Sequence, residues 1–483
     1  MRFEYPGDPH FAPLAGRADA PNNWGAFGAH DPSLIFAEGA YYAFSTGTFG
    51  ENYYQIRRSP DLIHWEYAGQ AFPAGIAASL APVLRAVERV YGKGTENDTL
   101  WAPDIVPAHG GGYWLYGCYT AAFGKNYSAI FLASAQNIEG PYAYADTLVL
   151  TGGDWGLQPN AIDAQIFYDG EGRMFMTYGS FYGGIRILEL DPRTGRRKDG
   201  LTYRDFAARK VGREAYFGRH ILRSSNAEGS VVAYKRSVPV YRGDIFAGAE
   251  DARLWSRTDR YYLMCSADSL SQDYNMRVWS SEFPDRGYTA PPYGFAGQKA
   301  AGSFSWRRGA EDPRIGFDFF VPGHNDLFTA PNGVEVAAYH CRTPYSDRRE
   351  PRAHYLFVSL CAYNSKGELL LSPNRYAGER LRKIEREELS GKTFDYVQIG
   401  SGNFDCAYAK SGICLEGNGS LMLCGEKMGE WKLYGDNFVA FTFDGMRYFG
   451  AAMPAWIEAE ARGGITISAR GEDGLPFFLN RAF

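Results

Sequence analysis

One phrase of apolar and polar positions recurs along the first three-quarters of the chain. An acidic residue opens a short apolar run, a polar turn with Gly or Asp follows, and a strand dense in Tyr, Phe and Met closes it. The phrase starts at Asp31 (DPSLIFAEGAYYAFST), Asp104 (DIVPAHGGGYWLYGCY) and Asp163 (DAQIFYDGEGRMFMTYGS). A fourth instance ends in the run Tyr261 to Ala267, and a fifth begins at His324 (HNDLFTAPNGVEVAAYH). The gap to the second strand is similar in the first three: 31 to 41, 104 to 113 and 163 to 174. Each phrase reads as a β-hairpin apolar on both faces. Five such hairpins, about 60 to 100 residues apart, predict the blades of a propeller. Innermost propeller strands begin near the axis, so acidic residues that open them converge on one pocket.

The texture changes between Tyr363 and Glu379. A charged segment (ERLRKIEREEL) follows as a short helix or linker. Then come short alternating runs: SLMLCG, EWKLYG, NFVAFTFDG, MRYFGAAM and ITISARG. Asn418-Gly419 and Asp444-Gly445 are hairpin signals. The expected architecture is therefore all-β: a five-bladed β-propeller over residues 1–363, then a small antiparallel β-barrel or sandwich over 364–483.

Composition narrows the picture without naming a function. Aromatic residues make up 16% of the 483, and glycine contributes 57, well above the usual ~7%. This suits many strands and tight turns and speaks against disorder, a coiled coil or a helical solenoid. The net charge of -5 offers no basic footprint for nucleic acid and nothing for an anionic membrane. No apolar run approaches the ~18 residues that span a bilayer. The first twenty residues lack a secretory apolar core, which gives a cytoplasmic expectation. The seven cysteines (118, 265, 341, 361, 406, 414, 424) contain no CxxC pair, so they read as buried thiols of a reducing compartment. A monomer or weak homo-oligomer is expected.

The sequence has no phosphate-cradling glycine loop, no GxSxG nucleophile elbow and no HExxH zinc motif. What remains is carboxylates opening strands beside aromatics. Two carboxylates flanking an acetal oxygen are the minimum for glycoside hydrolysis: one protonates the leaving oxygen, the other activates water or attacks. Aromatic faces suit the apolar faces of sugar rings. Taken singly, an Asp at a strand start is more often a turn cap.

The wording of the phrases shifts that balance. Ala29–Ser33 (AHDPS), Leu100–Ile105 (LWAPDI), Asn160–Asp163 (NAID), Tyr178–Ile185 (YGSFYGGI) and Pro322–Asn325 (PGHN) resemble glycoside hydrolase family 43, the arabinanase branch most of all. Ile56–Trp65 (IRRSPDLIHW) and Tyr274–Val278 (YNMRV) match as well. Ser372–Glu379 (SPNRYAGE) is similar to the junction with the C-terminal β domain of the longer arabinanases. The resemblance spans essentially the whole chain.

The resemblance implies three acidic residues at the centre of a five-bladed propeller. Asp31 would be the general base and Asp163 would tune the pKa of the acid and orient it. The family's acid is a Glu before a small residue and an aliphatic strand, which fits Glu228 in NAEGSVVAY. A rival, Glu250 in AEDARLW, fits the hairpin repeat better. Choosing Glu228 requires an insertion within that hairpin, roughly from Lys235 to Thr258. Trp101 and Phe123 would stack on sugar, and Asn160 and Ser180 would line the pocket. His324 would sit on the axis and hold a hydrated calcium ion; imidazole is an unusual ligand for so hard a cation, so this assignment leans on the family.

The implied activity is inverting hydrolysis of α-1,5-L-arabinofuranosidic bonds in arabinan or arabino-oligosaccharides. A β-xylosidase or α-L-arabinofuranosidase on the same fold is the alternative. A non-catalytic carbohydrate-binding propeller is a third reading, disfavoured because a binder has no need of the three carboxylates.

Overall fold

The structure is a computed structural model. It describes residues 28–47, 53–97, 99–152, 158–182, 184–222, 227–242, 253–270, 273–288, 299–306, 308, 318–342, 354–400, 407–460 and 462–483; along 227–242 and 253–258 it describes the backbone alone.

The blades lie between Ala29 and Leu371: four are four-stranded antiparallel sheets, and the fifth, running from Asp318–Thr329 to Leu369–Leu371, is extended to six strands by Phe304–Ser305 and Ala407–Tyr408, which pair in parallel. The five phrases of the sequence are the first two strands of each: Ala29–Ala37 with Ala40–Gly47, Trp101–Pro107 with Tyr113–Thr120, Gln165–Tyr168 with Met174–Tyr178, Ala227–Arg242 with Arg253–Ala267, and Asp318–Thr329 with Glu335–Arg342. The outermost strand of the fifth blade is Leu369–Leu371, beyond residue 363.

Neighbouring blades bury each other's faces, so the strands are apolar on both sides rather than alternating. Phe44 packs into the core between blades 1 and 2, while its neighbour Ala43 packs into the core between blades 5 and 1. Likewise Leu263 faces blade 3 and Tyr262 faces blade 5. The remaining interface, between blades 2 and 3, is filled by Trp114, Ile130, Met176 and their neighbours. The ring is closed without a shared strand: Gly28 N–H donates to His354 C=O at 2.7 Å, and Leu34 N–H donates to Asp326 Oδ2 at 2.7 Å.

A bulge marks the entry to the innermost strands. The register slips between His30 and Ser33, Trp101 and Asp104, Glu228 and Ser230, and Gly323 and Asp326. Within it Asp31 (φ 52°), Ala102 (φ 41°) and His324 (φ 47°) are left-handed, and Asp163 (φ 60°) is left-handed just before its strand. Such conformations cost roughly 1 kcal/mol or more for a side-chain-bearing residue, and a bulge re-aims the side chain it carries.

The C-terminal part is a closed eight-stranded antiparallel barrel running from Lys392–Gln398 to Pro476–Ala482, whose first and last strands pair. The predicted Asp444-Gly445 turn is present, with both residues at positive φ (51° and 74°) as a type I′ hairpin requires. The charged segment contains one helical turn, Arg386–Leu389. The barrel packs on the propeller through Phe478 and Val397 against blades 4 and 5, and through Ala451 and Met453 against blades 5 and 1. Arg375 joins the two parts, meeting Glu458 at 2.6 and 2.9 Å.

Candidate active site

The four left-handed residues and the backbone of Glu228 stand at equivalent points of their blades, in a bulge in every blade but the third. Asp31 is 7% exposed and Asp163 3% exposed. Asp31 Oδ2 accepts from Thr46 Oγ1 at 2.8 Å, and the same Thr46 oxygen accepts from Ala102 N–H at 2.8 Å. Asp31 Oδ1 lies 3.4 Å from His324 Nδ1 and 3.6 Å from His340 Nδ1, and Oδ2 lies 3.3 Å from His30 Nδ1. Asp31 N–H donates to His340 Nδ1 at 3.3 Å. Thr46, His30 and His340 were not singled out by the sequence. Thr46 and His340 occur in ordinary strand text (AFSTG, AAYHC), with no spacing that sets them apart, and His30 lies inside the AHDPS phrase as the neighbour of Asp31.

The repeat is phased differently from the sequence reading at Asp104. Ala102, not Asp104, is the counterpart of Asp31 and Asp163. Asp104 lies two positions further along, where the other blades carry Ser33, Gln165, Ser230 and Asp326. There it is structural: it accepts from Ser33 Oγ at 2.8 Å and from Ile166 N–H at 2.6 Å. Burial raises its pKa to about 6. Asp326 rises to about 7, from burial first and the Asp104 charge second.

Glu228 pairs with Ser266 at the slip in blade 4, the point where the other blades place their bulged residue. The hairpin that follows is long, with strands of 16 and 15 residues, and a further slip between Ala233 and Arg236 marks where the expected insertion begins. The insertion extends the hairpin from the end opposite Glu228. Glu250 lies outside the described residues; Arg253, three positions on, pairs with Arg242 at that far end. At ~3.3 Å per residue, that pair is tens of ångströms along the ladder from Glu228.

Trp101 is half-buried, and its carbonyl accepts from Tyr54 Oη at 2.7 Å and Cys118 Sγ at 2.9 Å. Phe123 is 79% exposed and stands edge-on to Trp101 with ring centroids 6.0 Å apart. An apolar ring left in water beside a pocket of carboxylates is suited to a sugar face. Tyr182 Oη donates to Gly124 C=O and ties the Phe123 loop to blade 3. Asn160 Oδ1 is taken by Ser128 Oγ at 2.7 Å, so this atom supports the wall rather than facing ligand. Ser180 Oγ is buried with no hydrogen-bond partner among the described residues, and Gly179 N–H to Ile162 C=O (3.0 Å) holds it beside Asp163.

Three histidines, His30, His324 and His340, lie within 3.6 Å of the Asp31 carboxylate, and His354 packs behind them with its ring centroid 4.0 Å from His30 and 4.8 Å from His340. Burial lowers the pKa of His30 to about 4 and depresses His324 and, more strongly, His340. They are therefore neutral near pH 7. His324 turns Nδ1 toward the Asp31 carboxylate, which places its proton there and leaves the lone pair on Nε2. That nitrogen is buried with no hydrogen-bond partner among the described residues, so it suits one bond to a cation whose other ligands are water. His30, His340 and His354 form a tighter group, with candidate ligand atoms within 4.8 Å of one another. It is poorly arranged for a metal. His340 Nδ1 accepts from Asp31 N–H and His354 Nε2 accepts from Arg342 Nε at 3.0 Å, so the proton of each neutral ring sits on the other nitrogen.

Residues 25–364 match Glycosyl hydrolases family 43. The chain belongs to that family and is a glycosidase. Residues 373–479 match a C-terminal lipocalin-like domain, which makes this a family 43 enzyme of the long, arabinanase-branch form. It is 27% identical to the extracellular endo-α-1,5-L-arabinanase of Thermotoga petrophila, over 92% of each chain. It is 28% identical to the extracellular endo-α-1,5-L-arabinanase 2 of Bacillus subtilis, over 92% of this chain and 91% of that one. The crystal structure of the Thermotoga petrophila endo-1,5-α-L-arabinanase superimposes with a TM-score of 0.74 at 25% identity, over 94% and 98% of the two chains. A Bacillus licheniformis family 43 structure gives 0.73 at 26% identity.

These relatives overturn the cytoplasmic expectation, because both proteins matched over nearly their full length are named extracellular. The thiols were no guide to compartment. Cys118, Cys265, Cys341 and Cys361 are buried, so an oxidising medium does not reach them, but Cys414 is only half-buried and Cys424 is exposed, against the expectation of buried thiols. Among the described residues no helix is long and apolar enough to cross a membrane.

Proposed function

We propose that this protein is an inverting hydrolase of α-1,5-L-arabinofuranosidic bonds in arabinan and its oligosaccharides. The observation that carries the reading is the match over 92% of the chain to relatives named endo-α-1,5-L-arabinanases. The pocket chemistry is consistent with it.

In this reading Asp31 is the base. Its carboxylate is aimed by the bulge and accepts a proton from water as that water attacks the anomeric carbon. Glu228 protonates the departing oxygen. Asp163 is the neighbouring negative charge that keeps the acid protonated near neutrality, because two close carboxylates resist ionising together. Inversion requires about 6.5–9.5 Å between base and acid so that the water fits. Trp101 and Phe123 form an apolar platform for the arabinofuranose rings, with Ser180 as a polar contact. His324 Nε2 would hold a hydrated calcium ion, which when bound supplies positive charge and ordered water at the axis.

Debranched arabinan tests the reading, with products resolved by chain length and the first-formed anomer read by NMR. Release of arabino-oligosaccharides or arabinose with inverted configuration is expected. Activity on aryl-xyloside with none on arabinan would overturn it.

A further inference from the structure

Thr46 lies in the second strand of blade 1, paired in register with His30, and is 4% exposed. Its hydroxyl has one proton to give and lone pairs to accept with. Ala102 N–H, which can only donate, occupies a lone pair at 2.8 Å. The other contact is Asp31 Oδ2 at 2.8 Å, an acceptor when ionised. The direction of the hydroxyl proton is thus settled: it points at the carboxylate.

We propose that Thr46 is a positioning residue for hydrolysis, fixing the rotation of the Asp31 carboxylate so that one oxygen is held and the other is presented to the attacking water. The proposal rests on the reading of Asp31 as the base. The bulge fixes the Asp31 backbone at φ 52°, but it leaves the terminal carboxylate torsion soft. The Thr46 bond at 2.8 Å is the shortest contact on that carboxylate and fixes Oδ2, with His324 Nδ1 the nearer partner of Oδ1 at 3.4 Å. Oδ1 is then left facing the His324 and His340 side of the pocket.

Thr46 serves better than a flexible donor would, because β-branching restricts its χ1. The same oxygen anchors Ala102, the bulged residue of blade 2, whose neighbour Trp101 carries the sugar-facing ring. One hydroxyl therefore sets the position of the base relative to the platform. Thr46 exchanges no proton with substrate; its hydrogen remains on Oγ1 throughout.

The test compares wild type, Thr46→Val, Thr46→Ser and Asp31→Asn on linear arabino-oligosaccharides, with kcat, KM and melting temperature measured for each. Thr46→Val keeps the shape and removes the donor; it is expected to lower kcat about tenfold to a hundredfold, the scale of one hydrogen bond to a charged group, with KM within about twofold. Thr46→Ser restores the donor and is expected to recover most of that loss. If Thr46→Val does not fold, Thr46→Ala is compared with Thr46→Ser in the same way.

Wild-type kcat in the Val variant overturns the proposal. So does a loss in the Ser variant equal to that in Val, which would mean that the methyl packing matters. A raised KM with intact kcat also overturns it, because the hydroxyl would then serve only the Trp101 side. An inactive wild type, or a fully active Asp31→Asn, instead overturns the arabinanase or base reading beneath it.

Discussion

Ser33 Oγ donates to Asp104 Oδ1 at 2.8 Å and accepts from Ile105 N–H at 3.3 Å, joining the first blade to the second one step below the bulge. The same step is repeated around the axis. Asp104 accepts from Ile166 N–H of blade 3, and Asp326 of blade 5 accepts from Leu34 N–H of blade 1. In blades 1, 2 and 5 a polar side chain two positions after the bulged residue thus satisfies a backbone donor of the next blade, where a dry axis would leave it orphaned. Ser33→Ala leaves a buried carboxylate short of a donor and is expected to cost about 1–3 kcal/mol, measured by denaturant unfolding, with the pocket residues themselves untouched.

Gly117 sits where a side chain has no room. A Cβ there would stand 2.4 Å from Tyr54 Oη and 2.6 Å from Phe131 Cζ. Tyr54 Oη bridges Cys118 N–H at 2.9 Å and the Trp101 carbonyl at 2.7 Å. Gly117→Ala should therefore destabilise the fold by about 1–3 kcal/mol as overpacking does, and weaken substrate binding by displacing Trp101. Unfolding midpoints and KM, measured together, check both effects.

Phe123 is exposed and contributes little to folding. Phe123→Ala should leave the melting temperature within about 1 °C, since surface changes are usually within ±0.5 kcal/mol. It should raise KM for long arabino-oligosaccharides several-fold, in line with the loss of about 1 kcal/mol of aromatic contact. An unchanged KM on every chain length would remove Phe123 from the platform.

Glu379 is fully buried at the junction of propeller and barrel, and burial pushes its pKa up to about 7 although Ala377 N–H donates to it. Below the unfolded-state value of about 4.3 both states are protonated and no cost arises. As pH rises from there to about 7, the unfolded chain ionises while the folded one resists, so this group removes stability up to roughly 3 kcal/mol. Glu379→Gln lacks that penalty. Its stability relative to wild type should improve between about pH 4.5 and 7 and level off above, as followed by unfolding midpoints; a constant difference across the lower range would contradict the assignment.

Much of the fold was legible because blade packing writes itself into the sequence: runs such as YYAFST and YWLYGCY are apolar on both faces because each blade is covered twice. Asp31 and Asp163 were legible as strand openers. The phase of the second blade was not, because Asp104 and Ala102 differ by two positions and a period-2 pattern cannot tell them apart; only the bulge does. His340 lies in the second strand of blade 5, and its meeting with Asp31 of blade 1 depends on ring closure, which no local pattern encodes; Thr46 faces His30 within one hairpin, but nothing in the run AFSTG marks its hydroxyl. The helix Ala81–Tyr91, with Val83 and Val87 buried one turn apart, carries a helical period and still escaped a reading tuned to hairpins.

The central claim is that the acid opens the fourth blade at Glu228 rather than lying in the later segment that contains Glu250. The direct measurement is the initial rate of debranched arabinan hydrolysis by Glu228→Gln and Glu250→Gln beside wild type. Glu228→Gln should lose at least ~10²-fold, the scale of general acid catalysis, while Glu250→Gln retains wild-type activity. An inactive Glu250→Gln with an active Glu228→Gln would contradict the account.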